Sequence, residues 1–141
     1  MPFVLDASVA ACWIFADEDH PVANLALEHI RTGGARVPSL WWFEIRNVLI
    51  VNERRGRITE TDTAVFLHGL AQLGIVTDHA PEETIVLAHA RRHRLTIYDA
   101  AYLELAQRTA LPLATLDKDL RSAAQAAGVP LLGERQRAAR R

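Results

Sequence analysis

Four acidic residues, far apart in the sequence, have types and positions suited to binding a divalent metal ion. Asp6 and Asp117 each directly follow a short apolar segment that predicts a buried strand. Asp99 is expected to open a helix, and Glu44 lies in an early turn of a long apolar helix. Because ligands of open α/β sheets bind beyond the carboxyl ends of the strands, we expect all four carboxylates at one edge of the sheet.

Electrostatic repulsion within such a group favours a bound cation. Two carboxylates about 4 Å apart repel each other by roughly 4 kcal/mol at an effective dielectric constant of 20. Without a cation they must take up protons or move apart. Oxygen ligands suit Mg²⁺ or Mn²⁺ better than Zn²⁺. Bound at a phosphodiester, such ions lower the pKa of water and stabilise the departing oxygen, so the group predicts metal-assisted hydrolysis of nucleic acid.

Helix capping is the alternative explanation for three of these acids. Aspartate is a favoured N-cap residue, and a carboxylate near a helix N-terminus gains from the helix dipole. Capping explains Asp6, Asp99 or Asp117 equally well when each is considered alone. It does not explain Glu44, which lies among apolar neighbours where an unpaired acid is costly.

Three further polar residues lie close in sequence to the acids. Ser8 and Thr115 are each two residues from an aspartate, so their hydroxyls could orient carboxylates or water, or could cap the local backbone. Asp119, in the turn after Asp117, is either a fifth acid of the site or a surface residue favoured by the helix dipole.

The elements that must position these residues alternate along the chain. Strands are predicted at residues 3–5, 75–77 and 113–116, with a possible edge strand at 129–132. A turn is predicted at 17–20, and helices at 9–15, 21–31, 39–55, 59–73, from 82 to the arginine cluster at 91–94, 99–109 and 118–127. Short connections between them predict an α/β fold, a three-layer α/β/α sandwich with a central parallel sheet.

Composition agrees with one globular domain. The chain has 141 residues, and we expect a domain at 1–133 followed by a basic, mobile tail at 134–141. It lacks a basic leader and any apolar stretch of about 18 residues, so no membrane association is expected. Cys12, the single cysteine, excludes an internal disulfide and fits the cytoplasm. The net charge of −1 would become positive if two divalent cations were bound.

Several aromatic and basic residues have two explanations each. The aromatic run at 41–43 could stack on bases, although packing or a dimer contact is the favoured interpretation. His89 and His93 are expected on a solvated face. The arginine clusters at 54–57 and 91–94 could contact RNA phosphates or serve solubility alone.

Four segments together resemble a known family: VLDAS at 4–8, FEIRNVL at 43–49, YDAAYLELA at 98–106 and ATLDKDL at 114–120. In order and spacing they resemble the PIN-domain ribonucleases, most of all the VapC toxins of bacterial toxin–antitoxin pairs. The resemblance implies a Mg²⁺- or Mn²⁺-dependent endoribonuclease, a homodimer, and inhibition through a hetero-oligomer with a VapB-type antitoxin. The family's metal ligands correspond to Asp6, Glu44, Asp99 and Asp117, with Thr115 as a supporting hydroxyl.

Departures from the family and rival classes complete the analysis. The residue after the first aspartate is often threonine in the family but is Ala7 here, so a hydroxyl must come from Ser8. A haloacid-dehalogenase-like phosphatase would need a second aspartate at position 8, and no P-loop or Gly-x-Gly-x-x-Gly loop is present. A housekeeping PIN-domain RNA-processing nuclease and a non-catalytic PIN-like interaction module stay open as alternatives.

Overall fold

The computed structural model describes residues 1–15 and 19–134. In this part of the chain each strand is followed by one or two helices. Their order is β1 (Phe3–Leu5), α1 (Ala7–Cys12), α2 (Pro21–Gly33), β2 (Ala35–Pro38), α3 (Leu40–Arg54), α4 (Glu60–Leu70), β3 (Ile75–Asp78), α5 (Glu83–His93), α6 (Ile97–Thr109), β4 (Leu113–Ala114) and α7 (Lys118–Ala126).

A parallel sheet of four strands forms the centre of the molecule, in the order β3-β2-β1-β4. Strand β1 is wholly buried, because Phe3, Val4 and Leu5 are each 0% exposed. Such continuous apolar strands are expected when helices cover both faces of a parallel sheet. The predicted α/β class and three-layer α/β/α arrangement are therefore confirmed.

The sheet differs from the sequence-based prediction at two strands. Strand β2 was not predicted, because Arg36 and Pro38 make its four residues resemble a loop. Strand β4 ends at Ala114, earlier than predicted, since the Leu116 N–H donates to the Ser8 hydroxyl instead of to a neighbouring strand. The edge strand predicted at 129–132 is reduced to one bridge between residues 113 and 131.

The starts of two helices and the exposure of one histidine also differ from the predictions. Helix α1 covers residues 7–12 instead of 9–15, so it begins directly after Asp6. Helix α6 begins two residues before Asp99, because the Thr96 side chain accepts a hydrogen bond from the Asp99 N–H and caps the helix. The prediction that His89 lies on a solvated face was wrong: it is buried, and its Nε2 lies 2.8 Å from Gln107 Oε1.

Some expectations fall outside the described residues. Residues 17 and 18 of the turn predicted at 17–20 and all of the tail beyond Glu134 belong to this group, so the boundary between domain and tail stays a prediction. In the part of the chain that is described, no helix is both long and apolar enough to cross a membrane.

Candidate metal site

The four predicted acids line one open cavity of about 330 Å³. They arrive there from the end of β1, the second turn of α3, the first turn of α6 and the residue before α7. Parallel strands end at the same edge of a sheet, which brings these distant segments together. The residues lining the cavity are Asp6, Ala7, Ser8, Ala11, Glu44, Asn47, Val48, Asp99 and Asp117.

Asp6 is the most deeply buried of the four carboxylates, at 5% exposure. Its Oδ2 accepts hydrogen bonds from the Ser8 hydroxyl at 2.7 Å and from the Thr115 hydroxyl at 2.6 Å. Burial raises the pKa of Asp6, these hydrogen bonds lower it, and the charge of Asp117 raises it further. The two hydroxyls therefore stabilise a negative charge that burial disfavours.

The same two hydroxyls also accept hydrogen bonds from the backbone after β4. The Asp117 N–H donates to Thr115 Oγ1 at 3.0 Å, and the Leu116 N–H donates to Ser8 Oγ at 3.0 Å. Because each hydroxyl accepts from one segment and donates to Asp6, the end of β4 is fixed relative to the end of β1. Ser8 thus orients the carboxylate of Asp6 and does not act as a simple local cap.

Glu44 is half-buried and is held by a residue that sequence analysis missed. The Tyr102 hydroxyl donates to Glu44 Oε1 at 2.5 Å, and Tyr102 is 0% exposed. Burial raises the pKa of Glu44, the Tyr102 hydrogen bond lowers it, and the charges of Asp6 and Asp99 raise it. Tyr102 lies three residues after Asp99 on α6, so helical spacing was the available signal for its position.

Asp99 is partly buried and is affected by the charges of its acidic neighbours. Its pKa is raised from 3.8 to about 6, first by burial and then by the charges of Asp117, Asp6 and Asp119. Asp119 does not line the cavity, although its charge acts on Asp99. The Thr96 hydrogen bond acts in the opposite direction and is weaker. The carboxylates therefore repel one another, as expected for acids gathered without a cation.

Capping accounts for one of the three aspartates for which it was considered. Asp117 Oδ2 accepts a hydrogen bond from the Leu120 N–H at 2.8 Å, so Asp117 both caps α7 and lines the cavity. Asp6 stands at the N-cap position of α1 without a side-chain capping bond. Asp99 is itself inside α6 and is capped by Thr96. A second residue missed from sequence, Arg121, donates to the Thr115 carbonyl at 2.9 Å.

The donor set of the cavity fits a hard divalent cation. Its charged groups are all carboxylates, and burial raises the pKa of three of them, Asp6, Glu44 and Asp99. Within residues 1–15 and 19–134, no three Asp, Glu, His or Cys side chains form a ready-made metal-binding group. Mg²⁺ does not require such a group, because it keeps several waters and usually takes only one or two carboxylates directly. The assignment of the four acids as metal ligands stays a prediction.

Comparison with known proteins identifies the family. Residues 3–126 match the PIN domain, and the chain therefore belongs to the PIN-domain family. It is 30% identical over 123 residues to Ribonuclease VapC3 of Pyrobaculum aerophilum, covering 85% of this chain and 92% of that protein. The resemblance to VapC-type PIN domains is confirmed.

A solved structure supports the fold independently. The crystal structure of PAE2754 from Pyrobaculum aerophilum aligns with a TM-score of 0.69 at 22% identity. The alignment covers 87% of this chain and 79% of that one. At this level of identity the match concerns the fold alone.

Proposed function

We propose that this chain is a Mg²⁺- or Mn²⁺-dependent endoribonuclease and the toxin component of a type II toxin–antitoxin pair. The observation that carries the proposal is the convergence of Asp6, Glu44, Asp99 and Asp117 on one cavity of a PIN domain. The proposal is supported by the name of a relative of this chain, Ribonuclease VapC3, which describes a ribonuclease.

The chain's own residues have distinct roles in the proposed reaction. Asp6, Glu44, Asp99 and Asp117 would hold the cation, directly or through its waters, and the cation would supply positive charge at the phosphate and lower the pKa of water. Ser8 and Thr115 hold the Asp6 carboxylate in place, and Tyr102 holds Glu44. Because these supports are hydrogen bonds from buried or half-buried hydroxyls, the carboxylates stay oriented when substrate enters. Asp119 contributes only charge, from outside the cavity.

The proposed partners follow from the family and from exposed apolar residues. We propose a VapB-type antitoxin that forms a hetero-oligomer with the toxin, and a homodimer of the chain itself. Trp42, Phe43 and Ile50 are exposed on α3, at 51%, 69% and 41%, and give an apolar face that association would cover. An RNA substrate and the single Cys12 fit a cytoplasmic location.

The test measures cleavage of cellular RNA by purified chain with and without Mn²⁺. Asp6→Asn is expected to abolish cleavage while retaining the fold, because it removes a ligand charge from the most buried position of the site. Asp19→Asn is the matched control, since Asp19 is exposed and lies outside the cavity. Full Mn²⁺-dependent cleavage by Asp6→Asn would overturn the assignment.

Two further measurements separate the alternatives. A non-catalytic interaction module would bind neither Mg²⁺ nor Mn²⁺ in calorimetry. A housekeeping RNA-processing nuclease would cleave RNA without arresting growth when expressed alone. For the proposed toxin we expect growth arrest, relief by a co-expressed antitoxin, and a dominant cleavage position when RNA ends are mapped.

A further inference from the structure

Among the described residues that line the acidic cavity, Asn47 alone has a side-chain donor that the protein does not already use. Ionised carboxylates only accept hydrogen bonds, and the only other lining side chain with a donor is Ser8. The Ser8 hydroxyl has a single proton, which it donates to Asp6 at 2.7 Å. The hydroxyls of Thr115 and Tyr102 likewise donate to carboxylates of the site. The amide of Asn47 is therefore available to a ligand.

Two asparagines on α3 differ in how the fold uses them. Asn52 is 7% exposed, its Nδ2 donates to the Val48 carbonyl at 2.7 Å, and its Oδ1 accepts from Arg57 at 3.3 Å. Asn47 is exposed, and within residues 1–15 and 19–134 its amide has no hydrogen-bond partner. Asparagine also forms helices less readily than alanine does. The stability of α3 therefore does not explain the residue at position 47.

Asn47 lies on the same face of α3 as Glu44. The two residues are three positions apart in the helix, so their Cβ atoms are neighbours at about 5–6 Å. Both line the cavity, whereas Trp42 and Phe43 on the same helix do not. Glu44 is half-buried and Asn47 is exposed, so the amide is the more accessible of the two. A ligand that enters the cavity from solvent therefore meets the amide beside a candidate metal ligand.

We propose that the Asn47 amide donates a hydrogen bond to a non-bridging oxygen of the phosphodiester that is cleaved. The inference rests on the proposed function and adds a substrate-binding residue to it. Phosphate oxygens only accept hydrogen bonds, and the charged side chains of the cavity are all carboxylates, which repel them. Even where a cation offsets this repulsion at one non-bridging oxygen, the second oxygen has only Asn47 as a side-chain donor in the cavity wall.

The surroundings of the amide disfavour two other uses. As a metal ligand, its Oδ1 would be a fifth oxygen where four carboxylates already offer theirs. A ribose 2′-hydroxyl can donate to any of these carboxylates and does not need the amide as an acceptor. Only the phosphate oxygens lack a partner in the cavity wall, so a donor is the group that the wall must supply.

The test begins with cleavage kinetics of purified chains in Mn²⁺, on an RNA whose cleavage position has been mapped. Asn47→Ala is expected to lower kcat/KM about tenfold or more, because hydrogen bonds to charged groups are the stronger ones. Its Mn²⁺ affinity, measured by calorimetry without RNA, should be nearly unchanged. Its free energy of unfolding in urea should not fall, since the amide has no partner in the described chain. A purely structural asparagine would give the opposite pattern, with lost stability and normal kinetics.

Asn47→Asp tests the donor itself, because it keeps the shape of the side chain and replaces the amide nitrogen with an oxygen. Cleavage should fall at least as far as in Asn47→Ala, while Mn²⁺ binding is retained. Asn24→Asp is the matched control, since it adds the same charge at an exposed asparagine of α2 that does not line the cavity. This control should leave kcat/KM and Mn²⁺ affinity nearly unchanged.

Sulfur substitution in the RNA identifies the atom that Asn47 contacts. A phosphorothioate replaces one non-bridging oxygen at the cleavage position, and sulfur accepts hydrogen bonds more weakly than oxygen does. For one of the two stereoisomers, the loss of kcat/KM seen with the parent chain should be smaller with Asn47→Ala, because the contact is already absent. A 2′-deoxy substitution at the same nucleotide should have equal effects on the two chains.

Several results would overturn the inference. These are an unchanged kcat/KM in Asn47→Ala, full activity in Asn47→Asp, a fall in Mn²⁺ affinity in Asn47→Ala, or additive losses for both phosphorothioate stereoisomers. A 2′-deoxy effect that disappears in Asn47→Ala would assign the amide to the ribose instead. Failure of the proposed function looks different, because the parent chain then cleaves no RNA or cleaves it without Mn²⁺, and the inference fails with it. If the parent cleaves as proposed and Asn47→Ala matches it, the nuclease stands and the Asn47 contact does not.

Discussion

Replacing Asp99 with asparagine should change stability in opposite directions depending on whether a divalent cation is present. Asparagine has nearly the shape of aspartate and keeps an oxygen that can accept from Thr96. It removes the negative charge that burial and the neighbouring acids disfavour. In the metal-free protein near neutral pH, the variant is therefore expected to be the more stable of the two.

The size of the effect follows from the pKa of Asp99. A rise from 3.8 to about 6 corresponds to about 3 kcal/mol at roughly 1.4 kcal/mol per pKa unit. The carboxylate faces an open cavity and is partly exposed, so solvent screening reduces this to about 1–1.5 kcal/mol. We expect the free energy of unfolding to increase by that amount at about pH 7.5.

The raised pKa of Asp99 also determines how the free energy of unfolding changes with pH. Because the folded pKa lies above the unfolded one, Asp99 does not destabilise the fold below about pH 3.8, where it is protonated in both states. The penalty develops as the pH rises from about 3.8 to about 6 and is complete above that value. The gain from Asp99→Asn should therefore disappear in acid.

Mn²⁺ should reverse the order of stability. A ligand at about 100 times its dissociation constant stabilises the folded protein by about 2.7 kcal/mol. The variant gains less, since the ion has lost one carboxylate. Urea unfolding at two pH values, with Mn²⁺ and with EDTA, measures all four conditions. A variant that is no more stable than the parent without metal, or that gains as much from Mn²⁺, would refute the reasoning.

Two further substitutions test the contacts that support and surround the site. Tyr102→Phe removes the hydroxyl that donates to Glu44. The Mn²⁺ affinity measured by calorimetry should therefore fall about tenfold or more. An unchanged affinity would contradict a positioning role for Tyr102. Asp78→Asn should cost about 1 kcal/mol near neutral pH, because Arg108 lowers the pKa of Asp78 through paired hydrogen bonds at 2.7 and 3.3 Å. This cost should vanish as the pH falls through the folded pKa of Asp78, whereas for Asp99 it is the destabilisation that vanishes in acid. If urea unfolding shows a difference between Asp78→Asn and the parent that does not depend on pH, the ion pair is not its cause.

The sequence predicted the position of the acids better than the contacts around them. Strand β1 and Asp6 were predictable because an apolar run followed by one acid indicates a buried strand and its carboxyl end. Strand β2 was not predictable, because its own residues resemble a loop. It is a strand because it pairs with β1 on one side and with β3 on the other. Local propensity carries no information about such partners.

The hydroxyl contacts of the site were likewise predicted only in part. Ser8 and Thr115 could be nominated from their spacing, yet the spacing fitted a backbone cap equally well. Only the fold shows that both donate to one oxygen of Asp6. Tyr102 was hidden among the apolar positions of α6, and its contact with Glu44 spans 58 residues of sequence. Interactions over such separations depend on topology and cannot be derived from local patterns.

The hydrogen bond between Asp6 and Thr115 has a consequence for how the protein is made. The two residues are 109 positions apart, so the ribosome completes most of the 141-residue chain before Asp6 can meet its buried partner. Synthesis proceeds from the N-terminus, and Asp117 appears later still. A nascent chain, or one that terminates before residue 115, thus carries the first acids without Asp117 and without the Thr115 hydroxyl that supports Asp6. For a proposed RNA-cutting toxin, we therefore expect a copy that ends before residue 115 to be inactive.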